Sequence, residues 1–413
     1  MPTLPRASLR SRTRFRQVTE RLALLMPPIP LLLSAGEASG DMYAARLATA
    51  LKQRLDVEIF GMGGPQMRAA GVEIVVDYSE VSVVGITEIL KHLPSLRRAM
   101  RRLVEEAERR RPALAILTDF PGFHLRLARK LLPSGIRNIY YICPQFWAWR
   151  PWRANLVRRR FAQALCIFPF EEKFYSDAGV PVKFIGHPLV GNVQATLTRE
   201  FFCQKYGLLS GRPIVTILPG SRHGEIAYHV PVLVEALRRL VQKIPHGFQI
   251  VVAVAPGLDL VPLKAMFPRD LHVNFIENDT YNALAAADLS IVSSGTATVE
   301  AALIGSPFIV VYRLSPLTAK LAKPLVRTKF FAMVNLIAGR RVVPELIQDD
   351  FTAGRVAEEA CQFLVHSKEN ERKITQMRQD LASVRTLLGP PGAVDRAADA
   401  IAAFLASGES NAK

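Results

Sequence analysis

The sequence predicts an α/β protein made of two Rossmann-like, doubly wound domains, and three observations predict it. From Ile29 onward, short β-branched runs alternate with helical patterns, the rhythm of βαβ units and a parallel sheet. At 413 residues the chain is too long for one core and suits two domains of ordinary size. The rhythm also halts and restarts, with a polar connection over 192–199 just after Gly186-His187-Pro188.

Taken in order, strands are expected near 29–34, 57–61, 114–117, 139–142, 164–168 and 183–185, with a helix over 41–54 between the first two. The second series is expected at 214–218, 249–254, 273–276, 289–292 and 308–312. A last helical pattern, 393–406, follows the breaker Gly389-Pro390-Pro391-Gly392, which returns the chain to the first domain or to a partner chain as a homodimer. The organisation is then a basic tail over 1–26, a first domain over 27–195, a second over 196–388 and a terminal helix within 389–413.

Composition narrows the function classes. With 49% hydrophobic and 22% charged residues the chain is globular. No apolar run reaches the roughly 18–20 residues of a spanning helix; the best candidate, 22–33, is broken by Pro27, Pro28 and Pro30. The four cysteines form no C-x-x-C pair, which argues against a zinc site and a disulfide framework and for a reducing, cytoplasmic compartment. A net charge of +17 attracts an anionic partner, whether lipid, nucleic acid or phosphorylated metabolite. No helix-turn-helix, zinc-finger or RNP signature accompanies it, so nucleic acid is disfavoured. The tail sets six arginines against Glu20 alone and reads as flexible, with Met26 an alternative start.

Two clusters imply a nucleotide. Ile214 to Ile226 reads IVTILPGSRHGEI, and LSIVSSGTATVEAALIGSP begins at Leu289. Each passes from a β-branched run through small residues into a helix, aiming N–H groups and a helix dipole at a phosphate. Gly220 admits close backbone approach, Ser221 can cap the next helix, and Arg222 offers a donor fork suited to a diphosphate. Glu225 follows in the same motif. Ser294, Gly295, Thr296 and Ala297 form the second cradle, and Glu300 can accept two ribose hydroxyls.

In the first domain, Ser34-Ala35-Gly36-Glu37-Ala38-Ser39-Gly40-Asp41 occupies the loop after the first strand. Ser39 and Asp41 serve equally as helix caps or as ligand contacts, with Gly40 between them, whereas Glu37 gains little structurally there. Asp119 emerges just past the run 114–117, where a carboxylate can act as general base towards a hydroxyl; a turn-forming Asp before Pro121 is the structural alternative. His187 faces a substrate or packs in the core, and Trp147, Trp149 and Trp152 make an aromatic patch. Ile86, Ile89, Leu90 and Leu93 recur at helical spacing ahead of Arg97, Arg98, Arg101 and Arg102, a pattern for a lipid interface or for a helix packed on its own domain.

Together these motifs resemble the lipid-A-disaccharide synthase family. The resemblance rests on SAGEASGD at 34–41, PQFWAWR at 144–150, FIGHPLV at 184–190, LPGSRHGEI at 218–226, SSGTATVEAAL at 293–303 and NLIAGR at 335–340. It implies a GT-B architecture, two Rossmann-like domains facing across a cleft, and inverting transfer from UDP-2,3-diacylglucosamine to the 6-hydroxyl of 2,3-diacylglucosamine 1-phosphate (lipid X). It implies a peripheral place on the inner face of the inner membrane and no metal or cofactor. It puts Gly220, Ser221 and Arg222 against the diphosphate, Glu300 on ribose, backbone near Ile276 on uracil, and Asn335 and Gly339 in the donor wall. One position departs from the family: a second Asp commonly follows three residues after the first, and Gly122 stands there. If the second carboxylate is the base in relatives, this chain uses Asp119, Glu37 or Asp41 instead, or is slow. The rival readings are another GT-B enzyme using a UDP-N-acetylhexosamine, separated by acyl-chain dependence, and a nucleotide-binding relative without chemistry, separated by turnover.

Overall fold

The computed structural model describes residues 27–81, 93–315 and 328–408. Among them lie two parallel sheets. The first contains β1 (Ile29–Ala35), β2 (Val57–Gly63), β3 (Glu73–Asp77), β4 (Leu114–Thr118), β5 (Asn138–Tyr141), β6 (Gln163–Cys166) and β7 (Val182–Phe184). Their order is β3-β2-β1-β4-β5-β6-β7. The second contains β8 (Ile214–Leu218), β9 (Gln249–Val254), β10 (Val273–Glu277), β11 (Leu289–Ser293), β12 (Phe308–Tyr312) and β13 (Glu345–Ile347), ordered β10-β9-β8-β11-β12-β13. In both sheets the strand order reverses beside the first strand, between β1 and β4 and between β8 and β11. In open α/β sheets ligands bind at that switch point, outside the strands' carboxyl ends.

The central strands form because their residues are apolar on both faces: β4, β8 and β11 are buried at every position, as a sheet covered by helices on both sides requires. Two strands escaped the sequence reading, β3 and β13. Both are edge strands, and edge strands carry polar residues that break the apolar run. The expected helix over 41–54 runs instead from Ala38 to Lys52.

By density of contact the described residues form two units, 27–141 with 160–163 and 397–408, and 142–159 with 164–396. In the first, the terminal helix Ala393–Ala406 contributes Asp399, which pairs with Arg54 at 2.6 Å, and Phe404, under the Arg137 guanidinium at 4.5 Å. Ala397, Ala398 and Ile401 are fully buried there. In the second, β8, β9, β11 and β12 share a core with the helix His223–Lys243, through Val230, Leu233, Leu237 and Leu240. Ile86, Ile89 and Leu90, expected to face lipid, lie outside the described residues; Leu93 opens the helix Leu93–Arg110.

Candidate active site and nucleotide site

The first site grows from the two loops at the β1/β4 switch point. Beyond β1, the chain turns at Gly36, where a Cβ would come within 2.2 Å of the Phe120 ring. That glycine lets the Phe120 ring lie against the loop and so brings the segment after β4 up to Glu37. Asp119 and Phe120 are both left-handed, with φ of 49° and 45°. Outside glycine such a conformation costs about 1–3 kcal/mol per residue and persists only where surroundings enforce it.

The enforcement is visible. The carbonyl oxygen of Asp119 accepts the Tyr140 hydroxyl at 2.9 Å and a bond from His124 Nδ1 at 2.8 Å. A carbonyl can only accept, so Nδ1 carries the proton. Burial pushes the His124 pKa down to about 4, so the ring is neutral and its bare Nε2 accepts the Ser34 hydroxyl at 2.8 Å. Ser34, His124 and Tyr140 are all fully buried. None of the three was singled out for function in the sequence; the signal was a histidine five positions after an aspartate at a strand end.

Asp119 itself is partly exposed. Desolvation first, and the neighbouring Glu37 charge second, raise its pKa to about 6, against a hydrogen bond from the Phe120 amide. A carboxylate so tuned is ionised at neutral pH yet basic enough to take a proton. Glu37 is exposed at the N-cap of Ala38–Lys52 and makes no capping bond. Gly122 lies in the first turn of the helix Pro121–Leu131, and a Cβ there would meet nothing within 4 Å.

Several expectations for this region are corrected. Asp41 is neither a cap nor a base: it is 1% exposed, and its two oxygens accept the amides of Gly64 at 2.7 Å, Gln66 at 3.0 Å and Met67 at 3.2 Å. It ties the first helix to the turn after β2. Ser39 is exposed and caps nothing, while Gly40 packs against the Ala35 side chain. His187 takes the packed alternative: it is 2% exposed, its Nδ1 accepts the Leu189 amide at 3.2 Å, its ring lies against Phe168, and burial lowers its pKa to about 3. Trp147 is fastened by Nε1 to the fully buried Glu171, whereas Trp152 is exposed.

The second site stands at the β8/β11 switch point. After β8, Gly220 has φ of 130°, and a Cβ there would come within 2.7 Å of a Glu225 oxygen. Contrary to expectation, the Ser221 side chain does not cap the helix; Arg222 is the N-cap, and Glu225 reaches back to accept the Ser221 amide at 3.0 Å and Arg222 Nη1 at 3.2 Å. The Arg222 side chain is 60% exposed. A second buried histidine anchors the loop: His229 Nδ1 donates to the Pro219 carbonyl at 2.8 Å, and its Nε2 accepts the Arg313 amide at 2.9 Å.

After β11, Gly295 takes φ of 143°, and exposed Gly295 and Thr296 open the helix Thr296–Ile304. No side chain caps that N-terminus, and the space beside Gly295 is open. The Ser294 amide is tied to the Val311 carbonyl at 3.0 Å, and Ala297 is partly exposed. One turn on, Glu300 accepts the Tyr281 hydroxyl at 2.9 Å, and burial raises its pKa. Ile276 is buried on the edge strand β10, so any reading of a base there falls to backbone. Asn335 is corrected: fully buried, its amide accepts from Val342 and Val343 and donates to Val343 and Glu345. All four of its hydrogen-bonding positions are filled, leaving none for a ligand. Gly339 ends its helix in the left-handed conformation as a C-cap.

The chain resembles known proteins in sequence and in fold. The family model described as lipid-A-disaccharide synthetase matches residues 31–388. The chain is 43% identical over 384 residues to the lipid-A-disaccharide synthase of Solibacter usitatus, covering 92% of this chain and 98% of the relative. Against that of Myxococcus xanthus it is 41% identical over 383 residues, covering 92% and 99%. Among solved structures, the calicheamicin glycosyltransferase superposes with a TM-score of 0.56 at 17% identity, over 93% of this chain and 100% of that one. UDP-N-acetylglucosamine 2-epimerase from Neisseria meningitidis, bound to UDP-GlcNAc, gives 0.58 at 11% identity, over 92% and 100%. At such identities the likeness shows the fold, which is GT-B.

Proposed function

Since the chain belongs to the lipid-A-disaccharide synthase family, we propose that it joins UDP-2,3-diacylglucosamine to 2,3-diacylglucosamine 1-phosphate with inversion, releasing UDP. The observation that carries the reading is Asp119, held in a left-handed turn just past β4 at a switch point, where burial raises its pKa to about 6. Asp119 takes the proton of the acceptor's 6-hydroxyl as that oxygen bonds to C1 of the donor sugar. The bond from C1 to the diphosphate breaks, and UDP leaves with its electron pair.

The leaving charge falls to residues of the second site. Exposed Arg222 supplies a cation, and the uncapped N-terminus at Gly295 and Thr296 supplies oriented N–H groups, which stabilise developing charge without a metal. Glu300 and the edge strand at Ile276 fit the ribose and base. We assign acceptor binding to 27–195 and donor binding to 196–388. Both substrates carry acyl chains, and among the described residues no helix is long and apolar enough to cross a membrane. Peripheral association with the inner face of the inner membrane is therefore part of the proposal, and a homodimer is not required by it.

The test is direct. Protein in detergent is given both acylated substrates, and disaccharide 1-phosphate and UDP are followed by mass spectrometry. Equal amounts of each product support the reading. UDP binding without turnover of these substrates, or equal turnover of unacylated UDP-N-acetylglucosamine, would replace it with one of the rivals.

A further inference from the structure

We propose that His124 and Tyr140 are positioning residues for Asp119: their two hydrogen bonds to its carbonyl oxygen lock the left-handed turn that presents its carboxylate. The proposal rests on the reading of Asp119 as base.

Three elements converge on one peptide group. Tyr140 comes from β5, His124 from the helix Pro121–Leu131, and Ser34, which fixes the His124 ring, from β1. The Asp119 amide is held too, donating to the Tyr141 carbonyl at 3.3 Å. Neither Asp119 nor Phe120 is a glycine, so released from these bonds the turn relaxes towards negative φ, and the Cα–Cβ direction of Asp119 rotates with it. The serine completes the device by ordering the imidazole. With its hydroxyl on Nε2, the proton is kept on Nδ1, where the carbonyl needs it.

His124 has a second contact that a test must separate. Its ring meets the rings of Phe120 and Phe123 edge-on, at 5.8 Å between centroids in each pair. His124→Phe keeps a ring of similar size and removes the donor. His124→Asn removes the ring and keeps a donor near the place of Nδ1. Positioning by hydrogen bond therefore ranks Asn above Phe in kcat, whereas ring packing alone ranks Phe above Asn. Tyr140→Phe removes one hydroxyl and no packing.

The assay is disaccharide formation, with KM for both substrates, UDP binding and thermal melting measured for each variant. A misplaced catalytic group costs on the order of 10²-fold in rate, so His124→Phe is expected to lose about that in kcat, with Tyr140→Phe losing roughly tenfold and His124→Asn less than His124→Phe. KM and UDP binding stay near the wild-type values. In an Asp119→Asn background, Tyr140→Phe adds no further loss, because its effect runs through that carboxylate. The proposal is overturned if Tyr140→Phe retains full kcat, if His124→Phe exceeds His124→Asn, or if Tyr140→Phe slows the Asp119→Asn enzyme further. Near-normal turnover by Asp119→Asn itself sinks the base assignment instead. Tyr140→Phe leaves the core volume unchanged, so the question is answered even if a His124 variant does not fold.

Discussion

The two switch points share an architecture and differ in what they offer. Each has one loop after its first strand and one after its fourth, and each sets a buried neutral histidine under a loop carbonyl, His124 under Asp119 and His229 under Pro219. At β1/β4 the product of this bracing is a strained turn with a raised-pKa carboxylate beside a second one, Glu37. At β8/β11 it is two glycine-only conformations, an uncapped helix N-terminus and an exposed arginine. One frame thus presents acidic side chains at one switch point and backbone N–H groups with an arginine at the other, and the loop residues decide which.

The largest expected break in that comparison is Asp119→Asn. Loss of a general base typically costs 10²–10⁴ in rate, so turnover is expected to fall by about that factor, with UDP affinity unchanged by calorimetry. The same variant gains stability at pH 7. A carboxyl raised from 3.8 to about 6 on folding opposes folding above that pH, by roughly 1–3 kcal/mol at about 1.4 kcal/mol per unit. A raised melting temperature with lost activity would mark a group kept for chemistry.

Next comes Arg222→Ala, which acts only on the second site. It is expected to weaken donor binding and slow turnover by about 10- to 100-fold, while the acidic limb of the pH profile stays in place. That limb belongs to the first site. The rate should fall about tenfold per pH unit below about 6, as Asp119 takes up its proton. Glu37→Gln removes a charge that raises the Asp119 pKa, so it should move the limb to lower pH; an unmoved limb would show that the two carboxylates do not interact.

The smallest effect concerns stability alone. His124 and His187 are held neutral, with pKa values of about 4 and 3. Depressed values mean that the unfolded chain binds protons first as pH falls through about 6.5. Both residues therefore withdraw stability from there down towards pH 4 and 3, and Asp119, protonating first in the folded state, offsets part of the loss. His187→Phe should flatten the acid side of a melting curve and leave kcat alone. A drop in kcat would return His187 to a substrate-facing role.

These differences also explain what the sequence made legible. β8, β9 and β12 were expected over the residues where they occur, because central strands are unbroken apolar runs. The glycine turns at Gly220 and Gly295 stand just past β8 and β11, where glycine beside a strand end marked them. The structural roles of Asp41 and Asn335 are hidden in the sequence for a common reason. Each is a polar residue within a ligand motif, but its partners, Gly64 to Met67 and Val342 to Glu345, lie in another segment that only folding brings near. His124 and Tyr140 are not legible as site residues because an aromatic within an apolar run reads as core, and core they are, with one polar atom each turned to a carbonyl.

The pairing of Asp399 with Arg54 bears on how the molecule comes into being. A unit whose sheet begins at β1 is finished only by residues 397–408. Domains ordinarily fold in the order in which they are synthesised. Here the surface that buries Ala397, Ala398 and Ile401 stays uncovered until the chain has been made to its last helix. The segment 164–396 can condense meanwhile, so the unit begun first is the one completed last.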